Sequence, residues 1–120
     1  MKIYSVKTID NIGRLILPGE LRKDLSLESG TKLYLLPINS IVILYTDVNK
    51  KDISPQSIVA EVDIFGRITL PRELMETMNW KEKDDIKAYH ADEKTAILRM
   101  EEDGYKHLYA RFGPEGITYP

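Results

Sequence analysis

The strongest constraint on this chain is that one of its segments occurs twice. Asp10-Asn11-Ile12-Gly13-Arg14-Leu15-Ile16-Leu17-Pro18-Gly19-Glu20-Leu21 returns as Asp63-Ile64-Phe65-Gly66-Arg67-Ile68-Thr69-Leu70-Pro71-Arg72-Glu73-Leu74, at an offset of 53 residues and with seven identities. The residues kept are those of a tight turn (Asp, Gly), of the position after it (Arg) and of a helix start (Pro, Glu, Leu). A duplicated supersecondary unit is the simplest cause. Each copy spans roughly 43 residues, a size at which a chain seldom folds alone without disulfides, metal or oligomerisation. The 120 residues include no cysteine, so disulfides and thiolate zinc sites are excluded. Two small copies without staples are expected to share one core.

Each copy reads as strand, turn, strand, short helix, strand, turn, strand. In copy one, Tyr4 to Ile9 is rich in β-formers. Asp10 to Gly13 is turn chemistry, because Asp and Asn bond their own backbone and Gly supplies positive φ. Arg14 to Leu17 predicts a second short strand. Pro18 suits the first turn of a helix, where its missing N–H costs nothing. Glu20 lies near the positive helix N-terminus. Leu21 and Leu25 share a helix face, and Glu28-Ser29-Gly30 is expected to end it. Lys32 to Leu36 and Ile41 to Tyr45 predict a hairpin around Pro37-Ile38-Asn39-Ser40. Copy two repeats the plan: Ser57 to Val62, the turn Asp63 to Gly66, Arg67 to Leu70, a helix from Pro71 with Leu74 and Met78 inward, and a hairpin of Asp85 to Tyr89 with Thr95 to Met100. Trp80 matches Leu27 and is expected in the shared core. The offset grows to 54 in the last hairpin, which predicts a turn one residue longer. The divisions are thus repeat one over 1–48, a polar linker over 49–56, repeat two over 57–100 and a tail over 101–120. In the tail, Tyr105, Leu108, Tyr109 and Phe112 form a helical stripe. It reads equally as a helix closing the core or as a contact for another chain.

The formal net charge of −2 does not advertise nucleic-acid binding. It hides a gradient: residues 1–50 carry 7 Lys and Arg against 5 Asp and Glu, whereas residues 51–100 carry 8 against 10. The basic surplus therefore lies in the first copy. Apolar runs are strand-sized, far below the roughly 20 residues of a membrane span. The N-terminus lacks the apolar stretch of a signal peptide. A soluble, cytoplasmic protein is expected. His90 and His107 have no partner at metal-ligand spacing, and no phosphate loop or nucleophile elbow is present. The expectation is of no enzyme, no cofactor and no metal. Asp10 and Asp63 read as turn residues rather than catalytic carboxylates.

The pattern Asp-x-x-Gly-Arg, an apolar triplet and Pro-x-Glu-Leu, followed by a short helix and a hairpin, resembles the AbrB/SpoVT swapped-hairpin family of DNA-binding transcription regulators. The resemblance covers residues 4–46 and 57–99. The family's usual unit is one copy per chain, with two chains exchanging hairpins. What the resemblance implies here is a mainly β fold with short helices: a swapped-hairpin barrel formed within one chain, as a pseudo-dimer of its two repeats. MraZ-type regulators, which also carry two related copies per chain, are similar in part.

Family members present basic residues to duplex DNA from the first strand, the Gly-Arg turn and the helix start. Carried onto copy one, these positions are Lys7, Arg14, Arg22 and Lys23. Lys and Arg neutralise phosphates and release counterions, and a guanidinium can read guanine edges. An Arg beside a turn can equally pair with the nearby Asp. Copy two departs from the pattern. Ala60 stands at the position of Lys7, and Met75 and Glu76 stand for Arg22 and Lys23. Arg67 keeps the Gly-Arg site, and Arg72 returns one positive charge in place of Gly19. The function implied is transcription regulation by occupancy of double-stranded DNA, with homo-oligomers bringing two copy-one faces together. Two alternatives belong to other classes. One is an antitoxin that covers its toxin with residues 101–120. The other is a protein-interaction module that has lost DNA binding, as the acidic second copy allows.

Overall fold

The computed structural model describes residues 2–46 and 52–101. The expected tail helix, with its possible partner contact, and the start of the linker lie outside the described residues. Copy one contributes β1 (Lys7–Thr8), β2 (Arg14–Ile16), α1 (Gly19–Asp24), β3 (Lys32–Ile38) and β4 (Ile41–Tyr45). Copy two contributes β5 (Ile58–Glu61), β6 (Arg67–Thr69), α2 (Arg72–Met78), β7 (Asp85–Asp92) and β8 (Thr95–Met100). The fold is mainly β: a curled six-stranded antiparallel sheet in the order β1-β7-β8-β4-β3-β5, and a separate ribbon of β2 and β6.

The copies are joined at every level of pairing. β1 of copy one runs along β7 of copy two, with Lys7 opposite Ile86. β5 of copy two runs along β3 of copy one, with Ala60 opposite Leu33. The two hairpins meet through β4 and β8, with Ile43 opposite Ile97. One hydrophobic cluster results, and it takes Leu15, Leu21, Leu33 and Leu44 from copy one together with Ile68, Leu74, Trp80 and Leu98 from copy two. Period-two alternation supplies these side chains. In β3, Leu33 and Leu35 are buried while Tyr34 and Leu36 are half-buried.

The duplication extends to backbone conformation. Gly13 and Gly66 have φ of +82° and +77°, Ser26 and Asn79 of +55° and +56°, and Gly30 and Lys83 of +87° and +75°. Each pair is separated by the same 53 residues as the sequence repeat. A left-handed Lys83 is strained in a way Gly30 is not.

Four local expectations are corrected. α1 stops at Asp24, with Leu25 as C-cap, rather than continuing to Glu28, because Ser26 turns left-handed. The first hairpin turns on Asn39-Ser40 alone, and Pro37 lies inside β3 opposite Val42. β5 accompanies β3 only as far as Leu35, so the missing N–H of Pro37 interrupts no ladder on that edge. The second hairpin also has a two-residue turn, between Asp92 and Thr95. Its extra residue is a bulge at Ala91, between His90 and Asp92. The first strand is shorter than the expected Tyr4 to Ile9, although Tyr4 N and Ile9 N still donate to Ala88 O and Asp84 O beside β7.

Helices of 6 and 7 residues have no stability of their own. They persist because Leu21 and Leu74 are fully buried. Leu21→Ala and Leu74→Ala should each cost about 2–5 kcal/mol. Because the core is shared, each variant should melt in one transition, with Trp80 fluorescence and far-UV circular dichroism coinciding. Two separated transitions in the Leu21→Ala variant would show that the copies fold independently.

Candidate nucleic-acid interface

The β2–β6 ribbon sets Arg14 opposite Thr69, Leu15 opposite Ile68 and Ile16 opposite Arg67. Leu17 N donates to Gly66 O at 2.9 Å and Leu70 N to Gly13 O at 2.8 Å, so pairing continues into both turns. Leu15 and Ile68 face the core and are buried. Alternation therefore puts Arg14, Ile16, Arg67 and Thr69 on the outer face. Arg14 and Arg67 are diagonal neighbours, about 7–8 Å apart by sheet geometry. Each end of the ribbon carries one Asp-x-x-Gly turn.

The turns are built alike. Asp10 Oδ1 accepts from Ile12 N at 3.0 Å and Arg14 N at 2.7 Å, and its Oδ2 accepts from Arg14 Nε at 2.7 Å. Asp63 Oδ1 accepts from Phe65 N and Arg67 N at 2.8 and 2.9 Å, and its Oδ2 from Arg67 Nε at 2.8 Å. Partial burial opposes ionisation of both carboxyls. The backbone N–H groups and the guanidinium outweigh it and hold each below the usual aspartate range. The internal pairing open to an Arg beside such a turn is thus formed at both Arg14 and Arg67. Nε serves the turn, while the terminal nitrogens form no bond with the described residues.

Interlacing redistributes the basic residues expected on one copy. Arg22 of copy one reaches the turn of copy two: its Nε donates to Leu17 O at 3.0 Å, and its guanidinium lies over Gly66. A methyl carbon placed on Gly66 would fall 2.5 Å from Nη1 of Arg22. Lys23, next on α1, is exposed and about 200° around the helix from buried Leu21. This end of the ribbon therefore brings Arg22 and Arg67 together, with Lys23 on the exposed side of the adjoining α1. At the other end the turn of copy one meets Met75, whose Sδ would lie 3.2 Å from a methyl carbon on Gly13. A groove of about 660 Å³ opens there beside Ile12, Met75, Glu76 and Trp80. Arg72 borders it and is tied to Glu76 at 3.1 Å. Lys7 stands apart: its register partner Ile86 is buried, its repeat counterpart Ala60 is buried, and Lys7 is half-buried along the core side of β1.

Two features escaped the sequence. Ile64 and Phe65 form the tip of the copy-two turn and are 78% and 64% exposed, with Arg67 Cζ 4.8 Å from the Phe65 ring centroid. Two adjacent apolar residues in a turn were the visible signal. The second is a chain of polar contacts that anchors α1. Lys2 Nζ and Tyr4 OH both donate to Asp24 Oδ2 at 2.8 Å, and His90 Nδ1 lies 2.8 Å from Tyr4 OH. The Tyr4 proton is committed to Asp24, so His90 Nδ1 is the donor to Tyr4 oxygen. Bonds from Lys2 and Tyr4 lower the Asp24 pKa, while burial and Asp24 push the Tyr4 hydroxyl well above its usual value.

Asp10 and Asp63 ionise more readily folded than unfolded. Their contribution is therefore present above an unfolded pKa of about 3.9 and lost as pH falls through the lower folded value. The Asp10→Asn, Asp63→Asn double variant should have a lower Tm at pH 7 and a smaller further drop on acidification to pH 3. Equal acid-induced drops in Tm for the two proteins would show that these turns do not sense pH.

No protein-family model and no curated protein matches this chain. The solution structure of PHS018 from Pyrococcus horikoshii is similar to it over 83% of this chain and 91% of that one, at 19% identity and a TM-score of 0.46.

Proposed function

We propose that this chain is a duplex-DNA-binding transcription regulator of the AbrB/SpoVT type, a swapped-hairpin pseudo-dimer that acts by occupying its site. The carrying observation is the outer face of the β2–β6 ribbon, where Arg14 and Arg67 lie diagonally and Arg22 covers Gly66 at one end. The strand exchange supports the pseudo-dimer: each copy's first strand pairs with the other copy's hairpin. A two-stranded ribbon is one of the elements that a major groove about 12 Å wide admits.

Arg14 and Arg67 keep their terminal nitrogens for phosphate or guanine, and the Asp bonds limit how each guanidinium can turn. Arg22 and Lys23 add charge at the end shared with Arg67. Arg72 contributes little, because Glu76 offsets it in solvent, and Lys7 lies off the ribbon. Four cations contact at most a few phosphates, so occupancy of DNA is expected to need homo-oligomers that place two such ribbons on one duplex.

Binding of the full chain to duplex DNA, followed by fluorescence anisotropy, should weaken with salt at a log–log slope of about −3 per chain bound, for three to four phosphate contacts from each ribbon. Arg22→Ala and Arg67→Ala should each flatten that slope by about 1, and Arg72→Ala should leave it unchanged. Salt-independent binding, or an unaltered slope in the Arg22→Ala, Arg67→Ala double variant, would refute the proposal.

A further inference from the structure

We propose that Ile64 and Phe65 are specificity residues that contact thymine methyl groups in the major groove, at the ribbon end carrying Arg22 and Arg67; this rests on the DNA-binding reading above. They are the two most exposed large apolar side chains among the described residues, at 78% and 64%. The fold does not require them. The equivalent turn of copy one makes the same Asp and Gly bonds with Asn11 and Ile12 at its tip. Nor do they belong to the shared core. Their neighbours are cationic: Arg67 Cζ lies 4.8 Å from the Phe65 ring centroid, and the Arg22 guanidinium rests on Gly66 immediately after it.

An apolar tip rimmed by guanidinium groups fits a surface that is apolar at one point and anionic around it. The major groove offers that combination at thymine, whose C5-methyl is its apolar feature between two phosphate rows. The tip stands at the end of the ribbon, continuous with the face that carries Arg67. Burying one methyl group is worth about fourfold in affinity. Because the other end presents Asn11 and Ile12, the two ends of one chain read different bases. The stretch read by a single chain is therefore not palindromic, in spite of the repeat.

The test compares the full chain on an alternating dA·dT duplex and on the same duplex with dU in place of every dT, which removes the methyl groups and keeps the phosphates. Wild type should bind the dT duplex about fourfold more tightly or better. Ile64→Ala and Phe65→Ala should each move that ratio toward one without changing the salt slope, and both positions are exposed enough for the variants to fold. A wild-type ratio near one with salt-dependent binding intact would overturn this inference and leave the DNA-binding reading standing. Overturn would also follow if the ratio survived in both variants, or if Phe65→Ala changed self-association in ultracentrifugation and not the ratio. Absence of DNA binding would remove both.

Discussion

The turn of each copy lies against the helix start of the other, and much of the rest of the structure follows from that contact. Leu17 N reaches Gly66 O and Leu70 N reaches Gly13 O. These two bonds extend a three-residue ribbon into a crossing, and they force each chain segment to leave the crossing toward the partner copy's hairpin. β1 then has β7 as its neighbour and β5 has β3. A segment of this length could not cover its own apolar face. Crossing over lets Leu21 and Leu74 pack into a single cluster that neither copy could build alone.

The same crossing explains why charge counted along the sequence is a poor guide to charge in space. Arg22 belongs to copy one by sequence, yet it stands beside Arg67 of copy two. Arg14, the remaining basic residue of the ribbon face, stands nearer the acidic helix that carries Glu76. The net charge of −2 and the gradient between copies describe the chain; neither describes the face. A basic end and a grooved end on one ribbon arise from two substitutions, Arg22 against Met75 and Lys23 against Glu76. Lys23 and Glu76 are exposed, whereas Met75 packs against the edge of the core where Arg22 reaches over a turn.

How much of this was legible varies with the range of the interaction. The Asp-x-x-Gly turns, their Arg partners and the Pro-led helices are set by residues within five positions of each other, and they form as their chemistry predicts. Burial of Leu21, Leu74 and Trp80 was legible from spacing and from the repeat itself. The position of Lys7 was not, because it depends on which strand lies beside β1. The reach of Arg22 across to Gly66 was not legible for the same reason. The bulge at Ala91 was visible only as a shift in offset, and a longer turn and a bulge produce the same shift. α1 ends early because Ser26 adopts a positive φ of +55°, which no local rule assigns to serine.

Lys83 carries the argument one step further. It adopts φ of +75° at the position where copy one has Gly30, so the strained conformation is held in a copy that has lost the residue suited to it. Lys83 N donates to Ile9 O at 2.9 Å, which ties this loop to the first strand of the other copy. The corresponding bond in copy one runs from Gly30 N to Val62 O at 2.7 Å. Both loops must present that N–H to close the sheet edge over the partner copy. The pairing between copies therefore dictates the backbone even where the side chain disfavours it. A fold specified at its crossing points in this way leaves the helix surfaces and turn tips free to diverge, as Lys23 against Glu76 and Asn11 against Ile64 do.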